Sequence, residues 1–343
     1  MIKHKIIIFV LIILSFSSCV TTKTAIKDFN NAEYYDASIK FEKIIKDGDS
    51  ENSFLLAESL RKSNRLWQAE KHYNDAIKFG IRDEMAYYYL TLSLKGNSNY
   101  DAADSLISNY LSKGKDEAVI NLMRRESLHI KNLRLYPDTS YYKVKNLKAL
   151  NTNYAEYSPA FSNEKLYFVS NRQSEKIYSG TGTPFTDLYE IKSKGANVDI
   201  NSLKKLGENI NNEKVNEGSI TFSGDGMYMI FAKGNNGKSN GRNNVDLYYS
   251  RYRRSGWTNP RLLNVNTSRS WDSTPYLTKD GKTLYFASNR SKGYGGTDIY
   301  KANVNRRGRW INIQNLGPEI NTPGNELFPS VTEDGRLYFS SDN

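Results

Sequence analysis

The chain has 343 residues, of which 38% are hydrophobic and 25% are charged, and 25 residues are tyrosines. This length predicts two domains, each with enough chain for its own hydrophobic core. The composition favours a folded, β-rich protein over a disordered one, because aromatic residues are typical of strands. The formal net charge is +11, but no run of lysines and arginines is longer than two. We therefore expect no nucleic-acid partner, because proteins that bind nucleic acids use clustered basic residues on their surface.

Residues 1–18 have the pattern of a secretory signal peptide. Two lysines precede the apolar run Ile6–Leu14, which is too short to span a bilayer, and small residues follow it. The sequence Phe-Ser-Ser-Cys that ends at Cys19 resembles a bacterial lipobox, in which the cysteine is acylated and becomes the first residue of the mature chain. The resemblance implies lipidation at Cys19 and attachment to the outer membrane. The alternative is a secreted protein whose leader happens to contain a cysteine.

Residues 19–135 are predicted to be helical. One set of small and large apolar residues recurs after a repeat length of about 34 residues: Leu56, Ala57, Leu60, Ala69, Tyr73 and Ala76 are followed by Leu90, Thr91, Leu94, Ala103, Ile107 and Tyr110. This spacing resembles the tetratricopeptide repeat, in which two antiparallel helices pack through small side chains. Ala37, Phe41 and Ile44 resemble the second helix of an earlier copy. The resemblance implies an α-solenoid, of this repeat or of a more general kind.

The segment Asp116–Leu133 predicts one more helix, which would cap the stack with an apolar stripe of Val119, Ile120, Met123 and Leu128. Pro137 is expected to end the helices and to begin a linker over residues 136–145. The following run Tyr141–Leu150 alternates enough to predict a strand that closes a ring of sheets.

A hairpin motif recurs four times between residues 146 and 343. Its clearest copy predicts strands Pro275–Thr278 and Lys282–Ser288, joined by a type I′ turn at Asp280-Gly281. The aligned copies are Ser158–Arg172, Ser219–Lys233 and Phe328–Asn343, and Phe168, Phe231, Phe286 and Phe339 are equivalent. A later strand recurs as Asp187-Leu188-Tyr189, Asp246-Leu247-Tyr248 and Asp298-Ile299-Tyr300. An asparagine precedes each hairpin, at Asn151, Asn211, Asn266 and Asn321.

Four short strands in a period of about 53–63 residues are typical of a β-propeller blade. The hairpin pattern Pro-x-apolar-Ser/Thr-x-Asp-Gly-x-x-Leu-Tyr-Phe-x-Ser-Asn-Arg resembles the TolB-type, WD40-like propeller repeat. The second copy departs from it, with Ile220 in place of the proline. The resemblance implies about three and a half blades over residues 146–343, where a ring usually has six or more. We therefore expect a truncated chain: an α + β multidomain protein with an N-terminal α-solenoid followed by an incomplete β-propeller.

The sequence shows no pattern typical of a catalytic, cofactor-binding or metal-binding site. His72 and His129 lie on predicted helices without a neighbouring set of ligands. No Gly-x-Ser-x-Gly nucleophile elbow is present. The glycine-rich loops Gly180–Gly182, Gly234–Gly241 and Gly293–Gly296 lack the lysine of a phosphate-binding loop, so we interpret them as connections between strands.

The recurrent charged residues have structural interpretations. Asp225, Asp280 and Asp334 precede glycine, so turn formation explains them. Asp187, Asp246 and Asp298 are expected to accept hydrogen bonds from a neighbouring strand or turn. Arg172 and Arg290 follow Ser-Asn at matched positions, and we expect ion pairs between blades there.

The order of lipobox, tetratricopeptide repeats and TolB-like propeller resembles outer-membrane lipoproteins that often continue into an OmpA-like, peptidoglycan-binding domain. That group includes proteins associated with type IX secretion and gliding. The resemblance implies a non-enzymatic scaffold without a cofactor, anchored at Cys19, with envelope proteins as partners and peptidoglycan bound through a downstream domain. Two alternatives stay open: a glycan-binding or nutrient-uptake lipoprotein that uses its tyrosines, and the propeller of a hydrolase whose catalytic domain lies downstream.

Overall fold

The computed structural model describes residues 21–135, 146–172, 174–234, 245–268 and 270–342. In this part of the chain, helices come first and a mostly antiparallel β region follows. The predicted succession of a helical and a β part is confirmed at this level. The signal peptide, Cys19, the linker 136–145 and all of the loop Gly234–Gly241 except its first residue lie outside the described residues.

The described residues contain seven helices, and each helix packs against the next one in the chain. They are α1 (Thr22–Asn30), α2 (Tyr34–Ile44), α3 (Ser50–Lys62), α4 (Leu66–Lys78), α5 (Met85–Gly96), α6 (Tyr100–Lys113) and α7 (Glu117–Leu135). Asp49 and Asn99 are the N-cap residues of α3 and α6, where their side chains accept hydrogen bonds from otherwise unpaired backbone N–H groups. All twelve apolar and small residues of the 34-residue pattern are buried, as predicted.

Helix α7 buries a different stripe from the predicted one. Met123 is buried as expected, whereas Leu128 is 55% exposed. The buried face continues through Glu126 and Ile130, because positions three and four residues apart share one side of a helix. Glu126 forms an ion pair with Lys95 of α5, so part of this face is charged rather than apolar.

The described part of the β region has eighteen strands, most of them short. They are β1 (Glu156–Ser162), β2 (Lys165–Ser170), β3 (Ile177–Tyr178), β4 (Thr183–Pro184), β5 (Asp187–Lys194), β6 (Asn197–Val198), β7 (Lys204–Lys205), β8 (Asn216–Phe222), β9 (Tyr228–Gly234), β10 (Val245–Arg253), β11 (Gly256–Trp257), β12 (Arg261–Leu262), β13 (Asp272–Leu277), β14 (Thr283–Ser288), β15 (Asp298–Val304), β16 (Trp310–Asn315), β17 (Glu326–Val331) and β18 (Leu337–Ser341). One turn of 3-10 helix, Ile200–Ser202, precedes β7.

Three antiparallel sheets follow one another along the chain. The first is built on β1-β2-β5, with β6 and β7 beside β5, and the second on β8-β9-β10, with β11 and β12 beside β10. The third is β13-β14-β15-β16, and the hairpin β17-β18 comes after it. The first strand of each sheet is an edge strand, and β8 packs between β1 and β13, while β13 also packs against β17. The four edge strands therefore lie side by side.

The hairpins align as the repeat pattern predicts. Phe168 pairs with Tyr189, Phe231 with Tyr248 and Phe286 with Tyr300, at the same position of each sheet. Apolar side chains fill the space between neighbouring sheets. One cluster joins residues of the first and second sheets, and another joins the second and third. The β region is therefore held together by cores that lie between sheets, each completed by the next repeat.

The turns of the hairpins differ from the prediction. Only Gly281 of the pair Asp280-Gly281 has a positive φ, +68°, so the predicted type I′ turn does not form there. Asp280 accepts hydrogen bonds from the side chain of Thr278 and the N–H of Lys282, at 2.6 and 3.0 Å, which stabilises a longer loop. Two successive positive φ values, 48° and 55°, occur instead in the shortest copy, at residues 163 and 164.

The predicted strand Tyr141–Leu150 is wrong over its described part. Residues 141–145 lie outside the described residues, and residues 146–150 contain a turn in which the N–H of Leu150 donates to the carbonyl of Leu147 at 2.8 Å. Leu150 is buried against the first sheet, in one cluster with Phe168. The side chain of Leu150 therefore covers part of the apolar face of that sheet, although the backbone of residues 146–150 adds no strand to it.

The helices contact the β region at two places. The N–H of Tyr35 in α2 donates to the carbonyl of Ser179 at 3.0 Å, and the ring of Tyr35 lies so close to Gly182 that no side chain fits there. The guanidinium group of Arg125 in α7 donates to the carbonyl of Asp342 at 3.1 Å. Helices α2 and α7 therefore both contact the β region.

Candidate functional site

A recurrent asparagine joins the second, third and fourth hairpins to the sheet that precedes each of them. Asn266 accepts a hydrogen bond from the N–H of Leu247 at 2.8 Å and donates to the carbonyl of the same residue at 2.9 Å. The same pair of bonds joins Asn211 to Leu188 and Asn321 to Ile299. The asparagine and the Asp-Leu/Ile-Tyr strand, two separate patterns in the sequence, thus form one structural unit.

Each hairpin also carries a carboxylate near the start of its first strand, which the sequence analysis missed. Glu217, Asp272 and Glu326 are buried, and Glu156 in the first hairpin is half-buried. Asp272 accepts hydrogen bonds from Arg290 at 2.7 Å and from the N–H of Thr267 at 3.2 Å. The signal was visible, because an acidic residue follows every recurrent asparagine by five or six positions.

The matched arginines form ion pairs, but within one hairpin. Arg172 lies 2.8 Å from Glu156, and Arg290 lies 2.7 Å from Asp272. The predicted pairs between blades are therefore wrong, because each partner carboxylate belongs to the neighbouring strand of the same sheet. The same guanidinium groups also donate to carbonyls of the segment that leads into the hairpin, at Leu150 and Val265.

The second hairpin departs from this arrangement. Lys233 stands at the position of Ser170 and Ser288, and it lies 2.9 Å from Glu217. Burial raises the pKa of Glu217 to about 8, although the ammonium group of Lys233 acts in the opposite direction. At Glu156, burial also raises the pKa, but hydrogen bonds from Thr152 and Arg172 outweigh it and leave the pKa below its usual value.

The four edge strands β1, β8, β13 and β17 line a cavity of about 680 Å³. Hydrogen bonds connect neighbouring strands around it. The hydroxyl of Thr221 accepts from the N–H of Leu277 at 3.0 Å, and the hydroxyl of Tyr276 donates to the carbonyl of Val331. The N–H of Gly224 donates to the carbonyl of Lys279 at 3.1 Å. The cavity is therefore built by repeats that are distant in sequence.

The described residues that line this cavity are mostly uncharged. Hydroxyl groups come from Ser158, Ser162, Ser219, Thr221, Ser223, Thr274, Tyr276 and Ser330. Phe161 and Phe328 add aromatic rings that are 62% and 48% exposed. Lys279 is the charged residue among them, and it forms an ion pair with Glu333. Such a lining suits an uncharged ligand with both polar and apolar groups.

The backbone at the cavity is strained in three of the four repeats. Ser158, Thr274 and Phe328 have φ values of 53°, 44° and 53°, a region that residues other than glycine rarely adopt. Each lies at a β-bulge, where the register of its hairpin shifts. Because strain of this kind concentrates at functional sites, its recurrence around one cavity marks the cavity as a candidate site.

One hydroxyl group at the cavity is without a hydrogen-bond partner. The side-chain oxygen of Thr274 is buried and has none in the described part of the protein. An unpaired buried hydroxyl costs about 1–3 kcal/mol. A ligand group that bonds this oxygen would recover part of that free energy.

The histidines do not contribute to this cavity. His72 is half-buried on α4, where burial lowers its pKa, and His129 lies on α7 with Nδ1 3.6 Å from Glu126. The described residues contain no group of three or more His, Cys, Asp or Glu that could hold a metal ion. No helix among them is long and apolar enough to cross a membrane.

The aspartates behave largely as predicted. Asp225 and Asp280 accept hydrogen bonds from turn N–H groups. Asp298 accepts bonds from the N–H groups of Tyr294 and Gly295 at 2.7 and 3.1 Å, so a carboxylate of the protein already uses the amides of that glycine-rich loop. Asp187 differs, because it forms an ion pair with Lys205 at 2.8 Å.

No protein-family model matches the chain, and no curated protein is similar to it. Among solved structures, it is similar to a luciferin-regenerating enzyme at 14% identity and a TM-score of 0.33, over 55% of this chain and 54% of that one. It is also similar to an α-L-arabinofuranosidase from Lactobacillus brevis at 14% identity and a TM-score of 0.34, over 52% and 62%, and to a puromycin hydrolase at 12% identity and a TM-score of 0.32, over 57% and 37%. The chain thus spans between about a third and two thirds of these proteins. Scores this low carry no argument about fold or function.

Proposed function

We propose that the protein is a non-enzymatic, lipid-anchored scaffold of the outer membrane that binds envelope proteins. In this proposal, the helices form a tetratricopeptide-like solenoid and the sheets are blades of a TolB-like propeller. The burial of every residue in the 34-residue pattern supports the solenoid. The cores between successive sheets and the adjacent edge strands support the propeller.

The cavity between the edge strands is the observation that carries the proposal. Each edge strand pairs with one partner strand in its own sheet. The backbone N–H and C=O groups on its other side are therefore not used by strand pairing. A protein segment in an extended conformation offers matching backbone groups. The lining of hydroxyl groups and aromatic rings favours a segment without charges. We therefore infer that the cavity takes an uncharged, extended segment of an envelope protein.

A pull-down of the full-length protein from solubilised envelope tests this function. We expect mass spectrometry to identify envelope proteins that bind to it, together with peptidoglycan if the downstream wall-binding domain is present. Recovery of a sugar-uptake porin alone would contradict the scaffold function.

Glycan binding is the second candidate function. The exposed rings of Phe161 and Phe328 beside several hydroxyl groups would also suit a sugar, whose apolar face stacks on aromatic rings. A glycan array distinguishes the two functions: binding that is lost on Phe161→Ala would favour the glycan, whereas an array without signal would favour the protein segment.

The anchor at Cys19 has its own test. We expect Cys19→Ala to release the protein from the membrane fraction, because the acyl chains provide the membrane affinity in this proposal. The matched control is Ser18→Ala, which leaves the thiol in place. A Cys19→Ala protein that stays with the membrane as the wild type does would contradict lipid anchoring.

A further inference from the structure

A second cavity lies on the outer part of the second sheet and concentrates arginines. We name it the arginine pocket; it is lined by Tyr249, Arg251, Arg253, Ser255, Trp257, Thr258, Asn259 and Arg261, and its volume is about 540 Å³. Arg251 and Arg253 are two positions apart on β10 and therefore point to the same face of the sheet. Arg261 on the neighbouring strand β12 pairs with Tyr249.

The arginine pocket holds positive charge without a counter-ion. Arg251, Arg253 and Arg261 are exposed, and none of them forms an ion pair with any carboxylate that the structure describes. The lining contains no acidic residue. The sequence between β9 and β10, residues 235–244, contains none either. Three guanidinium groups that share one cavity repel one another, and a bound anion removes this repulsion.

The first sheet has a carboxylate at a position where the second sheet has none. Glu190 of β5 takes the position of Tyr249, and Lys204 of β7 takes the position of Arg261. Glu190 lies 3.0 Å from Lys165 and 2.9 Å from Lys204, so it forms ion pairs with both cations. In the second sheet a tyrosine replaces this glutamate while the cation stays. The cation at the position of Arg261 is therefore paired with a carboxylate in the first sheet and lacks one in the second.

We propose that the arginine pocket binds a phosphate-bearing ligand. Several guanidinium groups with fixed planar donors match a doubly charged phosphate group, and Ser255, Thr258 and Asn259 add neutral donors. The rings of Tyr249 and Trp257 offer an apolar surface to the organic part of the ligand. This site is separate from the uncharged cavity between the edge strands, and it adds a second binding activity to the scaffold.

Calorimetric titration of the full-length protein in detergent tests the proposal. The probes are inorganic pyrophosphate, glycerol 3-phosphate and dihexanoyl phosphatidic acid. Tighter binding of the phosphatidic acid than of glycerol 3-phosphate would assign the phosphate to a lipid headgroup. Equal binding of the two would assign it to a soluble phosphorylated molecule. No binding of any probe at low salt would overturn the proposal.

Two variants localise the binding. We expect Arg251→Gln/Arg261→Gln to weaken it about tenfold or more, since charge-assisted bonds are lost. Tyr249→Glu, which restores the carboxylate of the first sheet, should weaken it to a similar extent. The control Arg82→Gln/Lys113→Gln removes two exposed charges from the helical part and should bind as the wild type does. Equal weakening by the control, or wild-type binding by both pocket variants, would overturn the proposal. All altered residues except Tyr249 are exposed, and unchanged thermal unfolding would verify that each variant is folded.

Discussion

At the scale of single residues, the repeat is defined by polar contacts as much as by its apolar pattern. The recurrent asparagines were visible in the sequence, but their role was not, because Asn211, Asn266 and Asn321 each bond the backbone of a strand 19 to 23 residues away. The recurrent acid was missed since it is Glu in three copies and Asp in the other, and it forms no motif with its neighbours. Arg172 and Arg290 were predicted to form ion pairs, and only their partners were wrong.

Glu217 leads to a prediction about pH. Its pKa is about 8 in the folded chain against an ordinary value of 4.5. The folded state therefore holds this proton more tightly than the unfolded state, so the stabilisation is complete below about pH 4.5 and is lost as the pH rises through about 8. The free energy of unfolding should fall by at most about 1.4 kcal/mol per pH unit in this window.

Glu217→Gln should remove this contribution. We expect the melting temperature of the variant to fall less than that of the wild type when the pH rises from about 5 to about 8. Glu213→Gln is the control, because Glu213 is exposed and pairs with Lys176 at the surface. Melting curves measured across the pH range check this prediction, and parallel pH profiles of wild type and Glu217→Gln would contradict it.

At the scale of elements, strand positions were predicted better than turns and helix faces. The alignment of the four hairpins depends on alternation of apolar residues, which burial enforces directly. Turn type depends on side-chain bonds such as those of Asp280, which the Asp-Gly pair alone does not reveal. The stripe on α7 shifted from Leu128 because an ion pair to another helix occupies part of the buried face.

Equivalent phenylalanines should differ in importance. Phe286 is fully buried between two sheets, whereas Phe339 of the hairpin β17-β18 is 36% exposed. We expect Phe286→Ala to lower the free energy of unfolding by about 3–5 kcal/mol, and Phe339→Ala in this chain by about 1 kcal/mol. Denaturant unfolding followed by near-ultraviolet circular dichroism measures both. Equal losses would mean that another surface covers Phe339.

At the scale of the whole molecule, the sequence predicted a helical part followed by a β part, but not the site. The cavity lies where four strands from distant repeats meet, and its strained residues follow from bulges that no local pattern reveals. The arginine pocket was missed for a different reason. Its arginines lie close together in the sequence without forming a run, and only the pairing of β10 with β12 places all three around one cavity.

The central claim is that the cavity between the edge strands binds an envelope protein. The most direct test repeats the pull-down with Phe161→Glu, which places a carboxylate in an uncharged cavity at a side chain that is 62% exposed. Met227→Glu is the control, because Met227 is 44% exposed and does not line the cavity. We predict that Phe161→Glu loses the partner that wild type and Met227→Glu retain. Recovery of the same partner, in the same amount, by all three proteins would contradict the claim.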